Sequence, residues 1–510
     1  MCWLAGAAAR GPGRLLLLAL LGAALLARPA RPSPTPEISP TVYVGGIQDL
    51  KLDSSGASKC SCLVDGVAGY QAFTRAQFLV SQLWWDSGPR DPPPGWAGCD
   101  DYELSTYYCF SRFNSTDVEY WAYQTDPATR IAEPVTQPQI AEFSGLLGRC
   151  LEHAIGLGLD VAINVHADDG RAQNGWRNTL AFDPLQPASG FSFFDIMLAP
   201  IADALNLGEM GATVFLYPWQ WAEAADMVRE RIEQGRPELA GRVKLGLGIN
   251  NSKLCGCVLI DIVNYDEYLA AFAPLWPSIE GWFDLAGIRA AFEAVDYVGI
   301  SAYVPQSRVD FQPCDMESLM RKMDVELAYY NLTLRELLDM GKEIHWIEWG
   351  IGGGATNNGD TPAATALEAA YYPYWGVWGA YNVSRDPWQT PAVRDYMRHY
   401  IQQTSSYLLQ GGCEYRVEGV YLWTTGSSWD IIGLANPVYG NAGSFRDEVA
   451  LETIRAHNQA VRELEAEAGE GAAEDAEPPL PEQPAVVAAD QPAGPPAPMG
   501  GAAAATRAGA

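Results

Sequence analysis

The chain has 510 residues, 48% of them hydrophobic and 11% aromatic, and a formal net charge of −29 at pH 7. That length suits two or three average domains or one large α/β barrel. So much negative charge repels phosphate backbones, and no basic run offsets it, which speaks against nucleic acid and anionic membrane surfaces as partners.

Residues 1–30 read as a secretory signal peptide: Arg10 and Arg14 precede a Leu-rich run at 15–26, and Ala27 and Ala30 follow it. The run is short for a membrane span, so the mature chain is expected to carry none. Residues 31–40 are rich in Pro, Ser and Thr and read as a linker. Outside the signal lie Cys60, Cys62, Cys99, Cys109, Cys150, Cys255, Cys257, Cys314 and Cys413. In an oxidising compartment most of these pair and one is left over, with connectivity open. The two Cys-x-Cys pairs have no His at ligand spacing, so disulfides are preferred to zinc. Sequons at Asn114, Asn250, Asn331 and Asn382 agree with a secreted glycoprotein, extracellular or in a cell wall. From 466 to 510 the sequence is Ala, Gly, Pro and Glu with few large apolar side chains, and is expected to be disordered. It ends without a hydrophobic stretch, which disfavours a lipid anchor.

The body, 41–465, alternates strand-like and helix-like stretches. Residues 41–158 give little pattern beyond a strand candidate at 120–123, and are read as an N-terminal extension plus the first two strands. Later strand candidates are 159–165, 243–249, 297–301, 344–347 and 419–423. Each follows an amphipathic stretch: 145–155, 219–234, 285–294, about 318–340 and 390–409. A helical stretch at 191–205 precedes the weakest strand position, the fourth. Strands separated by helices imply parallel pairing with right-handed crossovers. The expected fold class is α/β, a single (β/α)8 TIM barrel. A doubly wound sheet is the alternative, but Gly352–Gly354 lacks the Lys-Ser/Thr ending of a phosphate loop.

In a barrel the chemistry sits at the carboxyl ends of the strands. Reading just past each apolar run gives Asn164 and His166, then Asn250, Tyr303, Glu348 with Trp349, and Trp423. A lone Glu closing an apolar strand is costly unless it is paired or functional. The segments VDYVGISAYVP (295–305), EIHWIEWGIGGG (343–354) and GVYLWTTGS (419–427) fall in order at barrel spacing. On these three segments the chain resembles the retaining (β/α)8-barrel glycoside hydrolases, the cellulase-, mannanase- and galactanase-like superfamily. The resemblance implies Glu348 as nucleophile, Tyr303 as its hydrogen-bond partner and Trp423 as a sugar platform.

The superfamily's acid/base is a Glu after the fourth strand, preceded by Asn, and here the sequence departs: that region has no Asn-Glu. Glu209, in Leu-Gly-Glu-Met-Gly, is preferred, and Glu223 is the alternative. Trp176, Arg177, His166, Asn250, Tyr303, Trp349 and Trp423 form the expected substrate-binding set, with carbohydrate as partner. No metal or other cofactor is called for, and a monomer is expected. The implied reaction is hydrolysis of a β-linked glycan with retention. The alternative is a barrel that binds carbohydrate without cutting it, which the missing Asn-Glu favours. A substrate-assisted chitinase type would need a DxxDxDxE cluster, and the sequence has none.

Overall fold

The computed structural model describes residues 35–89, 116–126, 131–169, 182–202, 211–250, 283–354, 361–377, 386–425 and 446–474, with isolated positions between them. Seven strands run parallel: β1 Ile38–Val44, β2 Arg75–Pro89, β5 Asp160–Asp169, β6 Gly246–Asn250, β7 Tyr297–Ala302, β8 Glu343–Trp349 and β9 Gly419–Thr425. Their order in the sheet is β5-β2-β1-β9-β8-β7-β6. β3 Thr116–Asp126 and β4 Ile131–Pro134 add antiparallel to the far end of β2. The strand candidate at 120–123 is therefore part of an antiparallel hairpin and not one of the parallel set. β1 begins inside the stretch read as a linker. The strand that would complete eight is not among the described residues. Where an apolar run at 213–217 leads into the next helix, the backbone of Gly211–Leu216 is helical.

Continuous apolar runs such as β7, buried at every position, are what strands covered on both faces require. Helices cover one face: α1 Lys59–Gly69, α2 Gln137–Gly156, α3 Pro218–Gly235, α4 Leu285–Glu293, α5 Ser318–Tyr329, α6 Pro391–Leu409 and, in its part before residue 466, α7 Glu448–Glu474. α2 shows how the sequence sets them. Thr136 and Gln139 form a capping box, Phe143, Leu147, Cys150 and Ala154 make its buried face, and Gly158 at φ 86 turns the chain into β5. The stretch at about 318–340 is not one helix. Asn331 adopts φ 58, ending α5, and a second short helix, Leu334–Asp339, follows. The expected helix at 191–205 is a π turn, Phe194–Leu198, continued by Ala199–Ala202. α7 runs past residue 466, where the tail is expected to begin. Before that point Asn458 bonds both backbone groups of Ile38 and the Ala72 carbonyl, fixing the start of β1. Disulfides join Cys60 to Cys150 and Cys314 to Cys413, and Cys62 is also disulfide-bonded.

The concave side of the sheet is floored by aromatic rings at the amino ends of the strands. Tyr297 stacks on His345 with centroids 4.1 Å apart, and Tyr421 lies beside His345. Glycine is needed under this floor: a Cβ at Gly246 would sit 2.0 Å from the Tyr297 ring, and one at Gly419 would sit 2.8 Å from His345 Nδ1. Burial pushes the His345 imidazole below its ordinary 6.5, against the pull of Glu343, so it is neutral at pH 7 and donates to Glu343 at 2.9 Å. Burial disfavours charge on Glu343 as well, but hydrogen bonds from His345 and Lys244 outweigh it and hold that carboxyl at about 2. His457, bonded to the Pro36 carbonyl and Ser405, is likewise pushed down by burial.

Both imidazoles take up protons more readily in the unfolded chain. Their contribution to stability is complete above about pH 6.5 and drains as pH falls below it. Thermal unfolding is expected to show a lower Tm at pH 5.2 than at pH 7.5. The double variant His345→Gln/His457→Gln is expected to flatten that slope; an unchanged slope would show that other groups carry it.

Candidate active site

The geometry of the site begins with an irregularity in β8. His345 faces the concave side, on Tyr297, and Trp346 faces the helices, its ring stacked on Tyr407 of α6 at 5.7 Å. Strict alternation would then send Ile347 inward, Glu348 outward and Trp349 inward. The ladder to β7 pairs Ile300 with Trp346 and next Ser301 with Glu348, so Ile347 is an extra residue. The ladder to β9 breaks at the same place, between Trp346 and Trp349. This bulge keeps Ile347 inward, against Gly299, and turns Glu348 inward as well. Trp349 is turned outward onto Tyr400, with centroids 6.2 Å apart and no exposure to solvent. Trp349 therefore belongs to the core between sheet and helices and not to a substrate-binding set.

Glu348 is 4% exposed and is held on both carboxylate oxygens. His166 Nε2, from β5, lies 2.7 Å from Oε1, and the Tyr303 hydroxyl, just past β7, donates to Oε2 at 3.3 Å. Two donors on one carboxylate stabilise its negative charge in a setting that would otherwise expel it. The His166 ring lies against Trp423 of β9, centroids 5.8 Å apart and planes 23° from parallel. Trp423 is half-buried, and its Nε1 donates to the Val377 carbonyl at 3.0 Å, which fixes the ring's direction. Strands β5, β7, β8 and β9 thus each deliver one side chain to the same place. Asn164 lies two residues below His166 on the same strand, so on the same face, and is buried.

Sequence reasoning passed over two polar residues of β2. Ser81 is paired in register with His166, and its buried Oγ has no hydrogen-bond partner among the described residues. Gln77, on the same face, is buried too. Both stand at even spacing in the strand-like stretch RAQFLVSQL, flanking its apolar centre at 78–80, and that was the available signal. Asn250 ends β6 opposite Ser301, but its side chain lies outside the described residues, as do Trp176, Arg177 and Glu209. Glu223, the alternative second acid, is exposed on α3. No cluster of three or more His, Cys, Asp or Glu residues that could hold a metal ion occurs among the described residues.

No family model matches the chain, and no curated protein does. Solved structures similar to it include glycoside hydrolases. A GH113 beta-mannanase from Alicyclobacillus acidocaldarius, in complex with ManMIm, is 13% identical over 84% of this chain and 100% of its own, with a TM-score of 0.42. A GH5 mannosidase from Rhizomucor miehei is 11% identical over 86% of this chain and 98% of its own, with a TM-score of 0.36. GH5_18 from Streptomyces cattleya, in complex with GlcNAc, is 13% identical over 85% of this chain and 81% of its own, with a TM-score of 0.38. At such scores the chemistry has to rest on the chain's own side chains.

Proposed function

We propose that the chain is a glycoside hydrolase that cleaves a β-linked polysaccharide or oligosaccharide with retention, using Glu348 as nucleophile. The observation that carries this reading is the Glu348 carboxylate, turned inward by a bulge and held on both oxygens by His166 and Tyr303, with the His166 ring set against a fixed indole. A Glu that the fold both buries and supplies with donors is poised for attack, and a neighbouring Trp face suits the C–H face of a pyranose. In the first step a Glu348 oxygen attacks the anomeric carbon. The bond to the leaving oxygen breaks as an acid protonates it, and Glu209 is our candidate for that acid. In the second step the same residue takes a proton from water, the water oxygen attacks the anomeric carbon, and the Glu348 ester is released. The sum is addition of one water across the glycosidic bond. The two carboxyls are expected about 5–5.5 Å apart.

An extracellular location is part of the proposal. The signal-like segment supports it, together with the disulfides, which persist in oxidising compartments. No helix among the described residues is long and apolar enough to cross a membrane.

The test is a panel of β-mannan, β-galactan and β-glucan polymers and their oligosaccharides, with products followed by proton NMR from the first minutes. Cleavage that yields the β-anomer first is expected. Binding without cleavage would leave the non-catalytic reading, and α-anomer first would remove the nucleophile role.

A further inference from the structure

The bulge that aims Glu348 has a support of its own. Gln77 on β2 is 1% exposed, and its Nε2 donates to the Ile347 carbonyl at 2.8 Å and to Thr41 Oγ1 at 3.1 Å. In the sheet β1 and β9 lie between β2 and β8, so this bond reaches across the concave interior. Its target is the residue at which both ladders of β8 lose register. The Ile347 side chain is fixed as well: a Cβ at Gly299 would lie 2.9 Å from two of its carbons. With side chain and carbonyl both held, the peptide plane between Ile347 and Glu348 has a set direction. That plane decides whether Glu348 points toward His166 and Tyr303 or toward the helices.

We infer that Gln77 is a positioning residue for Glu348, acting through the Ile347 carbonyl. The inference rests on the reading of Glu348 as nucleophile. An amide suits the task because it donates without carrying charge into the interior that Glu348 occupies. A Lys or Arg there would compete with His166 for the carboxylate.

Two full-chain variants test it. Gln77→Leu keeps bulk and removes the donor. It is expected to lose about 10- to 100-fold in kcat with KM within about twofold, the scale of a misplacement near 1 Å. Gln77→Glu keeps shape but can donate to a carbonyl only when protonated. Its kcat relative to the unaltered chain is therefore expected to rise as pH falls from 7 to 5, which a merely structural role would not produce in protein that is folded throughout. This variant decides the matter if Gln77→Leu fails to fold.

A second readout needs no turnover. The chain has five histidines, so a histidine-labelled 15N spectrum is simple, and His166→Gln assigns the His166 signal. In Gln77→Leu that signal is expected to move toward its position in Glu348→Gln. An unmoved His166 signal together with an unchanged kcat overturns the inference while leaving the hydrolase reading intact. If the unaltered chain cleaves nothing on the panel, the hydrolase reading fails, and the His166 signal alone decides whether Gln77 aims Glu348: a shift supports it and no shift overturns it.

Discussion

Glu348→Gln is expected to lower kcat by about 10⁴-fold or more on whichever glycan the chain cleaves, the scale seen when one essential group of a catalytic set is removed. The amide is the same size as the carboxylate and can still accept from His166, so the walls of the site should stay in place. It cannot attack the anomeric carbon, and it no longer offers the negative charge that an oxocarbenium-like transition state calls for. Glycan affinity measured by calorimetry is expected to stay within a few fold, because the Trp423 ring and its anchor at Val377 are untouched. Stability is expected to hold or rise, since the substitution takes a charge out of a site that is 4% exposed. Residual turnover above about one-hundredth of the unaltered rate would mean that another residue attacks the sugar.

Why Glu348 was legible in the sequence and its orientation was not follows from what each depends on. β7, β8 and β9 are apolar runs that stop at polar residues, and burial on two faces makes such runs visible without knowing their neighbours. Glu348 is conspicuous because a charge closes one of them. Which way it points depends on one extra residue, Ile347, whose place is set by β7 on one side and β9 on the other. A local reading must assume alternation, and one inserted residue exchanges the faces of Glu348 and Trp349. β1 was hidden for a related reason. Pro36 and Pro40 make its sequence look like a linker, yet Pro40 sits where the register to β9 shifts, a place where a strand tolerates the missing N–H. The partner of Glu348 on β5 was found as a residue type at a strand end. Its 2.7 Å contact needs the sheet to curl, and the sheet order is long-range information.

The same dependence on distant partners governs the largest expected loss of stability, at Glu317. This side chain is fully buried at the start of α5, and its Oε1 accepts from three successive backbone N–H groups, those of Cys413, Glu414 and Tyr415, at 2.7–2.9 Å. The Tyr407 hydroxyl donates to the same oxygen at 3.2 Å, and Arg321 lies 3.2 Å from the other. Burial, first, and the nearby Glu317 charge raise the Tyr407 hydroxyl well above its ordinary value, so it stays a donor. The segment so held leads into β9 and on to Trp423. Glu317→Leu would leave three amide donors without their acceptor, that of Tyr415 buried, and is expected to cost about 2–4 kcal/mol, the scale of stranding a buried donor that had a charged partner. Glu317→Gln keeps an acceptor for the amides and gives up the pairing with Arg321, at an expected cost of about 1–2 kcal/mol. Urea unfolding under oxidising conditions, with the Cys314–Cys413 bond intact, measures both. If Leu cost no more than Gln, the disulfide and not the carboxylate would be what holds the entrance to β9.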